Sequence, residues 1–429
     1  MKKTLLALLA ATCLQPAFAA DLSPTEQAIV AAVKANNAQG LALLEKSVNI
    51  NSGTMNHAGV RAVGALFRQE FDALGFQTRW SEMPAAMQRA GHLIAEREGK
   101  QGKRLLLIGH LDTVFEKDSP VQLWERHGDR VRGQGVSDMK GGDVIIIQAL
   151  KALKQAGALD NTTIRVVFTG DEEDAGSPKE IARKDLIDAA RRSDLALAFE
   201  GTSRNADGKD TATIGRRSSS SWVLEVKGKQ GHSSAIFRGG YGAIYEAARI
   251  LDAFRREVPE PDLTFSPGLI LGGTEVTEQP ELAKGSAFGK TNVIPNSVVV
   301  HGDMRYLDYA QRDRARAKMS AIAAQNLAGT SATIRFHDSY PPMSPTEGNR
   351  KLLAQYSQAS IDAGLGEIVA VPPGLRGAGD VAFVAPLIDS LDGMGAAGNG
   401  AHSPNEDLDI PSIERSTIRT ALMIYRLTR

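Results

Sequence analysis

Short apolar runs alternate with amphipathic stretches along most of the chain. Leu105–Ile108 runs into Gly109, His110 and Asp112, Thr162–Thr169 into Gly170-Asp171-Glu172-Glu173-Asp174, and Leu195–Phe199 into Glu200. Apolar runs this short, bounded by turn residues, read as strands buried on both faces, as in a parallel sheet covered by helices. Phe76–Met83 and His92–Glu96 read as strands leading up to them. The helical stretches follow their own signals. Ser23-Pro24-Thr25-Glu26 is a capping box with proline at the first helical position, which predicts a helix to about Ala35, with another over Leu41–Val48. Val60, Val63, Phe67, Phe71 and Leu74 share one helical face. Further helices are expected over Val144–Gln155, Arg350–Ala363 and Ser412–Leu427, with strands near Val369 and Leu387 returning to the main sheet.

The pattern changes after Thr202–Asp210, a polar run that reads as a linker. Trp222–Val226, Leu263–Leu271, Asn292–His301 and Ala332–Phe336 read as strands, with helices over Tyr241–Phe254 and Gln311–Asn326. That β-α-β-β-α-β order is the split βαβ, ferredoxin-like plan. The expected architecture is therefore α/β: a mostly parallel-sheet domain with helices on both faces, residues 20–210 and 340–429, interrupted by a smaller α+β domain over 211–339.

The first residues, M-K-K-T-L-L-A-L-L-A-A-T-C-L-Q-P-A-F-A-A, have a basic start, an apolar middle and Ala17-Phe18-Ala19 before a cleavage point, which reads as a secretory signal peptide over residues 1–19. Its apolar stretch is short of the about 20 residues that span a bilayer, so a soluble periplasmic or secreted protein is expected, with no membrane attachment after cleavage. Cleavage removes Cys13, the single cysteine, and with it any disulfide, thiol nucleophile or thiolate ligand. The chain carries 50 basic and 50 acidic residues without like-charge blocks, which gives no electrostatic case for nucleic acid.

The candidate chemistry sits at strand ends, where open α/β sheets bind ligands. His110 and Asp112 stand two apart, and a carboxylate beside an imidazole suits a metal ligand or a general base. Four consecutive carboxylates directly after a buried strand point to a cation, and because neighbouring side chains diverge, Glu172 and Glu173 are expected to differ in role. Glu200 adds another carboxylate at the same edge, and crowded carboxylates either bind protons or share a metal. Asp138, in the glycine-rich run 132–142, either joins them or caps the following helix. His92, with no acidic companion, reads as structural.

With these residues in view, the chain resembles the glutamate carboxypeptidase, acetylornithine deacetylase and succinyl-diaminopimelate desuccinylase family of di-zinc hydrolases. The resemblance rests on G-H-L-D-T-V at 109–114, G-V-S-D-M-K-G-G at 135–142, T-G-D-E-E at 169–173 and G-A-H-S-P-N-E at 400–406. It implies two Zn²⁺ per subunit, with Co²⁺ or Mn²⁺ as substitutes, held by His110, Asp138, Glu173, Glu200 and His402, with Asp138 bridging. It further implies that Asp112 orients His110, that Glu172 is the general base, and that an amide is cleaved by a hydroxide bridging the metals. On the smaller domain, implied to be a dimerisation or lid domain of a homodimer, His232 and Asn292 would face the metals, His232 serving the partner's site, and Arg305 would hold a substrate carboxylate. The chain departs from the resembled pattern at Ser218–Ser221 and in R-G-A-G-D at 376–380. The expected function is an exported zinc exopeptidase of carboxypeptidase type, with glutamate as one candidate side chain, acting on a small peptide or N-acyl amino acid. Two readings compete: an N-acyl-amino-acid deacylase or dipeptidase with the same site, and a non-catalytic exported metal- or peptide-binding protein. Glu172 argues against the second, since a binder has no use for a free carboxylate beside a ligand Glu173.

Overall fold

A computed structural model describes residues 21–120, 123–280 and 284–429; the signal-peptide reading lies outside them. The main sheet has six strands in the order Gln77–Ser81, His92–Arg97, Thr162–Thr169, Gln101–His110, Leu195–Ala198 and Asp389–Leu391. The three that end in candidate chemistry are parallel neighbours: Gln101–His110 lies between Thr162–Thr169 and Leu195–Ala198, with His110 opposite Thr169 and Leu105 opposite Leu195. Pairing in one direction brings their carboxyl ends to one edge.

The two faces of the sheet follow from the alternation of side chains along a strand. Leu105 and Leu107 join the large core with the helices Pro24–Val48, His57–Ala73, Gly141–Gln155 and Ile410–Leu427. Leu106 and Ile108 face the other way, into a smaller core with Leu186, Ala189 and Ala190 of the helix Lys184–Arg191. A strand buried on both sides has no polar face to spend, hence the unbroken apolar run.

Three expectations change. The first two helices are one, Pro24–Val48. Gly40, between the two expected helices, marks a crossing: a Cβ there would stand 3.0 Å from the Gln148 side chain of Gly141–Gln155. The polar run Thr202–Asp210 is laced to the main body rather than free, through Thr202 N–H to the Ala396 carbonyl at 3.0 Å and Arg419 to Asp210 at 2.7 Å. Finally, Ile368–Ala370 pairs with Asp210–Ala212 and not with the main sheet, which Asp389–Leu391 alone rejoins at that end.

The second sheet is fully antiparallel, in the order Thr264–Gly273, Ser297–Arg305, Ser219–Gly228 and Thr330–Tyr340. The helices Gly242–Glu257 and Tyr309–Ala324 cover it, and Trp222, Leu224, Val226, Val298, Val300 and Met304 form its own core with them. The sequence pattern missed a hairpin, Glu275–Gln279 with Lys284–Phe288, whose residues are largely exposed and carry no apolar run. The chain enters and leaves this unit side by side: Arg216 and Met343 exchange backbone hydrogen bonds of 2.9 and 3.0 Å.

Candidate metal centre

His110 ends its strand almost wholly buried, at 1 % exposure. Its Nδ1 lies 3.0 Å from the Asp112 backbone carbonyl, a pure acceptor, so Nδ1 carries the proton and Nε2 presents a lone pair. That lone pair faces Asp138 Oδ1 at 3.3 Å and Glu200 Oε1 at 3.6 Å. The other oxygen of Asp138 lies 3.2 Å from His402 Nε2, which is also 3.0 Å from Glu173 Oε2. Two triads result, His110–Asp138–Glu200 and Asp138–Glu173–His402, sharing one carboxylate. Asp138 reaches this position because the chain leaves helical geometry at Asp138 and Met139, just before Gly141–Gln155 begins. Asp138 is therefore a member of the cluster and not a helix cap.

The acidic turn after Thr169 has four carboxylates with four fates. Asp171 turns inward to the buried Arg183 at 2.6 Å, and Asp174 turns outward to Arg89 at 2.7 Å. Glu173 enters a triad, while Glu172 belongs to neither. Asp112 explains why the turn holds this shape. Its carboxylate accepts from the backbone N–H groups of Glu172 (3.0 Å) and Glu173 (3.1 Å) and from Thr54 Oγ1 (2.6 Å). The expected role for Asp112 is thus divided: its carbonyl orients His110, with the carboxylate 3.5 Å from Nδ1, and the carboxylate itself shapes the turn. From the other side, the Tyr340 hydroxyl donates to the Glu172 carbonyl at 2.9 Å.

Glu406 is a site residue the sequence reading passed over, although it closes the run 400–406. Fully buried, it accepts from the backbone N–H of Gly135, Ser137 and Asp138 and from the Ser137 hydroxyl, at 2.8–3.1 Å, and so fixes the turn that presents Asp138. Its partners lie far back in the chain, and no local pattern signals the contact. His402 sits in the same loop with φ of 63°, in the left-handed region that few residues other than glycine adopt, His being with Asn and Asp among the more tolerant.

The electrostatics report crowding. Burial raises the Glu200 carboxyl to about 8, with Asp138 adding to the rise, and burial likewise raises Glu173. Hydrogen bonds to Asp138 and Glu173 lift the His402 imidazole to about 11 against the opposing effect of burial. For Glu172, burial is the largest cause of a carboxyl held well above its ordinary range, with His110 opposing and Glu200 adding. Glu173 Oε1 is buried and has no hydrogen-bond partner. Three convergent carboxylates, two imidazole nitrogens and an orphaned acceptor form a donor set that divalent cations satisfy, and nitrogen and oxygen donors without thiolate suit zinc.

The other expected residues lie apart from the triads. His92 is a buried structural residue, its Nδ1 accepting from Gly170 N–H at 3.1 Å and its Nε2 facing the Ala182 carbonyl at 2.9 Å. His232 is exposed, and its Nδ1 contacts Ser234 Oγ at 2.9 Å. Asn292 is its neighbour through the Ser233 N–H, 3.0 Å from the Asn292 carbonyl. Arg305 bonds Asp303 on its own strand at 3.1 Å. Among the described residues, none of these three has a hydrogen bond or ion pair to the five triad residues, so within one chain they do not face the centre in contact with it.

Residues 106–426 match the peptidase family M20/M25/M40. The chain belongs to this family. It is a metal-dependent hydrolase of amide or peptide bonds, in a family of dinuclear metal-binding peptidases, and the two triads are groups of side chains that could hold metal ions. The M20 chain is 30 % identical over 397 residues to carboxypeptidase G2 of Pseudomonas sp. (strain RS-16), covering 90 % of this chain and 88 % of that one. It is 27 % identical over 345 residues to succinyl-diaminopimelate desuccinylase of Xylella fastidiosa (strain M12), covering 77 % and 85 %. In fold it is similar to the aminopeptidase PepT from Bacillus cereus ATCC 10987, with a TM-score of 0.72 at 16 % identity over 92 % of this chain and 99 % of that one. It is also similar to the Bacillus subtilis protein YXEP, described as a dinuclear metal binding peptidase from the M20 family, with a TM-score of 0.64 at 16 % identity over the same shares.

Proposed function

We propose that this chain is an exported zinc-dependent exopeptidase that hydrolyses an amide next to a free carboxylate, with Glu172 as general base. The observation that carries the reading is the division of the acidic turn: Glu173 stands in a triad, whereas Glu172 stands in neither and has its backbone pinned by Asp112 and Tyr340. A carboxyl held next to a metal pair and left out of it is free to move protons.

His110, Asp138 and Glu200 would hold one divalent ion and Asp138, Glu173 and His402 the other, and together the ions would supply Lewis-acid polarisation of a carbonyl and a water acid enough to ionise near neutrality. Glu172 takes the proton from the attacking water and returns it to the leaving amine, a role that suits a carboxyl which burial holds above its ordinary range. Asp112 keeps Glu172 and Glu173 apart in role by clamping both backbone N–H groups on one carboxylate. The second sheet gives no residue to the triads within one chain, and its exposed His232 fits a two-fold pairing in which His232 of the partner subunit donates to the developing oxyanion. Arg305, released from Asp303, would receive the carboxylate beside the scissile amide. The names of the two relatives support two substrate classes for one site, a C-terminal peptide bond and an N-acyl amino acid. Export, to the periplasm or beyond, rests on the Ala17-Phe18-Ala19 leader.

The test is metal analysis and turnover on purified mature protein. Zinc content near two per chain, loss of activity with chelator, and preference for free-acid over C-terminally amidated dipeptides and N-acyl amino acids are expected. Activity untouched by chelation in a metal-free preparation, or equal turnover of amidated and free-acid substrates, overturns the reading.

A further inference from the structure

Beside the first triad opens a cleft of about 180 Å³, whose lining includes Ser137, Asp138, Glu200, Gly201 and Arg376. It shares Ser203, Gly398 and Asn399 with a second cavity of about 260 Å³ that reaches Arg130 and Arg204. The guanidinium groups along this path differ in how far they are already engaged. Arg130 is paired with Asp407, and Arg204 with Asp210 at 2.9 Å. Arg376 has no ion pair among the described residues. Its Nη2 donates to the Gly201 carbonyl at 2.9 Å, and its Nε is buried without a partner. A guanidinium has five N–H donors, and one bond plus one orphaned donor leaves most of that capacity unspent.

The loop that carries Arg376 is held in place from behind. Arg216, buried and paired with Asp392, donates from Nη1 to the Gly377 carbonyl at 2.9 Å and the Ala378 carbonyl at 3.3 Å. Arg376 is therefore presented to the cleft by a fixed backbone, and the Gly201 bond fixes the side chain next to Glu200. Of the carboxylates that act on Arg376, Asp392 is paired with Arg216, and Glu200 and Asp138 belong to the triads. Arg305, the guanidinium expected from the sequence, bonds Asp303 on its own strand and is not in the lining of this cleft. A fixed, half-buried guanidinium with unused donors beside a reaction centre matches a carboxylate in geometry and charge.

We propose that Arg376 is a substrate-binding residue that takes a carboxylate of the substrate in the cleft beside Glu200. The inference rests on the amide-hydrolase reading above and deepens it. The carboxylate has two sources, the acyl side of the scissile amide or the amine side, and two pairs of substrates separate them. N-succinylalanine against N-succinamoylalanine varies the acyl side, and N-butanoylalanine against N-butanoylalaninamide varies the amine side. For the zinc-loaded wild type, the charged member of one pair has the lower KM, and that pair names the source. Arg376→Gln and Arg376→Met raise that KM by about 10- to 100-fold, the worth of hydrogen bonds to a charged group, and leave kcat and the KM of the amide twin in place. Arg376→Lys recovers part of the loss. Only variants with wild-type metal content and melting temperature are scored. Equal KM values for both twins in both pairs of the wild type overturn the proposal without any variant, and so does a loss in Arg376→Gln that falls alike on charged and amide twins. If the wild type turns over none of the four, the hydrolase reading fails separately, and calorimetric titration with glutarate decides on Arg376: weaker binding to Arg376→Gln supports the site, and unchanged binding removes it.

Discussion

His110 and His232 are both expected at the reaction centre, and the chain treats them in opposite ways. His110 is buried at a strand end, with a carbonyl on one ring nitrogen and two carboxylates on the other. His232 is exposed in a two-residue strand, turned towards Ser234 of its own turn. The same contrast holds between Asp138, fixed through the four bonds to Glu406, and Arg305, folded onto its near neighbour Asp303. The main sheet thus delivers from a single chain a converging set of side chains that could hold metal ions. The second sheet delivers side chains parked on local partners, which under the proposed function a substrate or a second subunit would recruit. Preorganisation is concentrated where charge is densest, because converging carboxylates must be held against their own repulsion.

The sharpest way to break this comparison is to separate Glu172 from Glu173. Glu172→Gln is expected to keep both metals and lose about 10²–10⁴-fold in kcat, the usual worth of a positioned acid–base group, whereas Glu173→Gln loses metal. Metal content and kcat measured on both variants check this, and the reverse pattern would exchange the roles. The second test asks whether His232 is recruited across a dimer. His232→Ala is expected to cost about 10²–10³-fold in kcat, as for a lost oxyanion donor. Mixed dimers of His232→Ala with Glu172→Gln contain one whole site and recover up to about half the wild-type activity per dimer. Mixed dimers as inactive as their parents would confine His232 to its own chain. The smallest effect concerns the second sheet's own stability. Asp338 accepts from Tyr306 at 3.0 Å and from Arg312 and Arg316, and its carboxyl lies below the ordinary value despite burial, held there by Arg316 and Tyr306. A depressed folded pKa contributes stability that is complete above the unfolded value of 3.8 and is lost as pH falls through the folded one. Asp338→Asn is therefore expected to lower stability by under about 1 kcal/mol at pH 7, as for exposed pairs, with the difference from wild type closing as the pH is taken well below 3.8, read by denaturant melts at both pH values.

Much of the main sheet was legible because a strand buried on both faces must be apolar throughout, and the strands Gln101–His110, Thr162–Thr169 and Leu195–Ala198 end within two residues of the apolar runs that predict them. The metal-type residues were legible for the same reason: His110, Glu173 and Glu200 sit where polarity resumes. What stayed hidden depends on partners far along the chain. Glu406 finds the turn at Gly135–Asp138, Asp171 finds the guanidinium of Arg183 and stands in neither triad, and the Asp112 carboxylate, 3.5 Å from the imidazole, also holds two backbone N–H groups. The merged first helix shows the converse error, since Gly40 has a tertiary reason that no local propensity carries.

The paired backbones of Arg216 and Met343 bear on how the chain assembles. Leu195–Ala198 and Asp389–Leu391 must find each other in parallel across everything between them, and pairings so distant in sequence are slow to form. Once the second unit has folded around its own core, its two ends stand a hydrogen bond apart, and the loop to be closed shrinks to residues 199–215 and 344–388. Each halving of a loop lowers its closure cost by about 0.6 kcal/mol. A long insertion thus becomes a short tether, and the last strand of the main sheet is searched for over a much smaller volume than the chain length suggests.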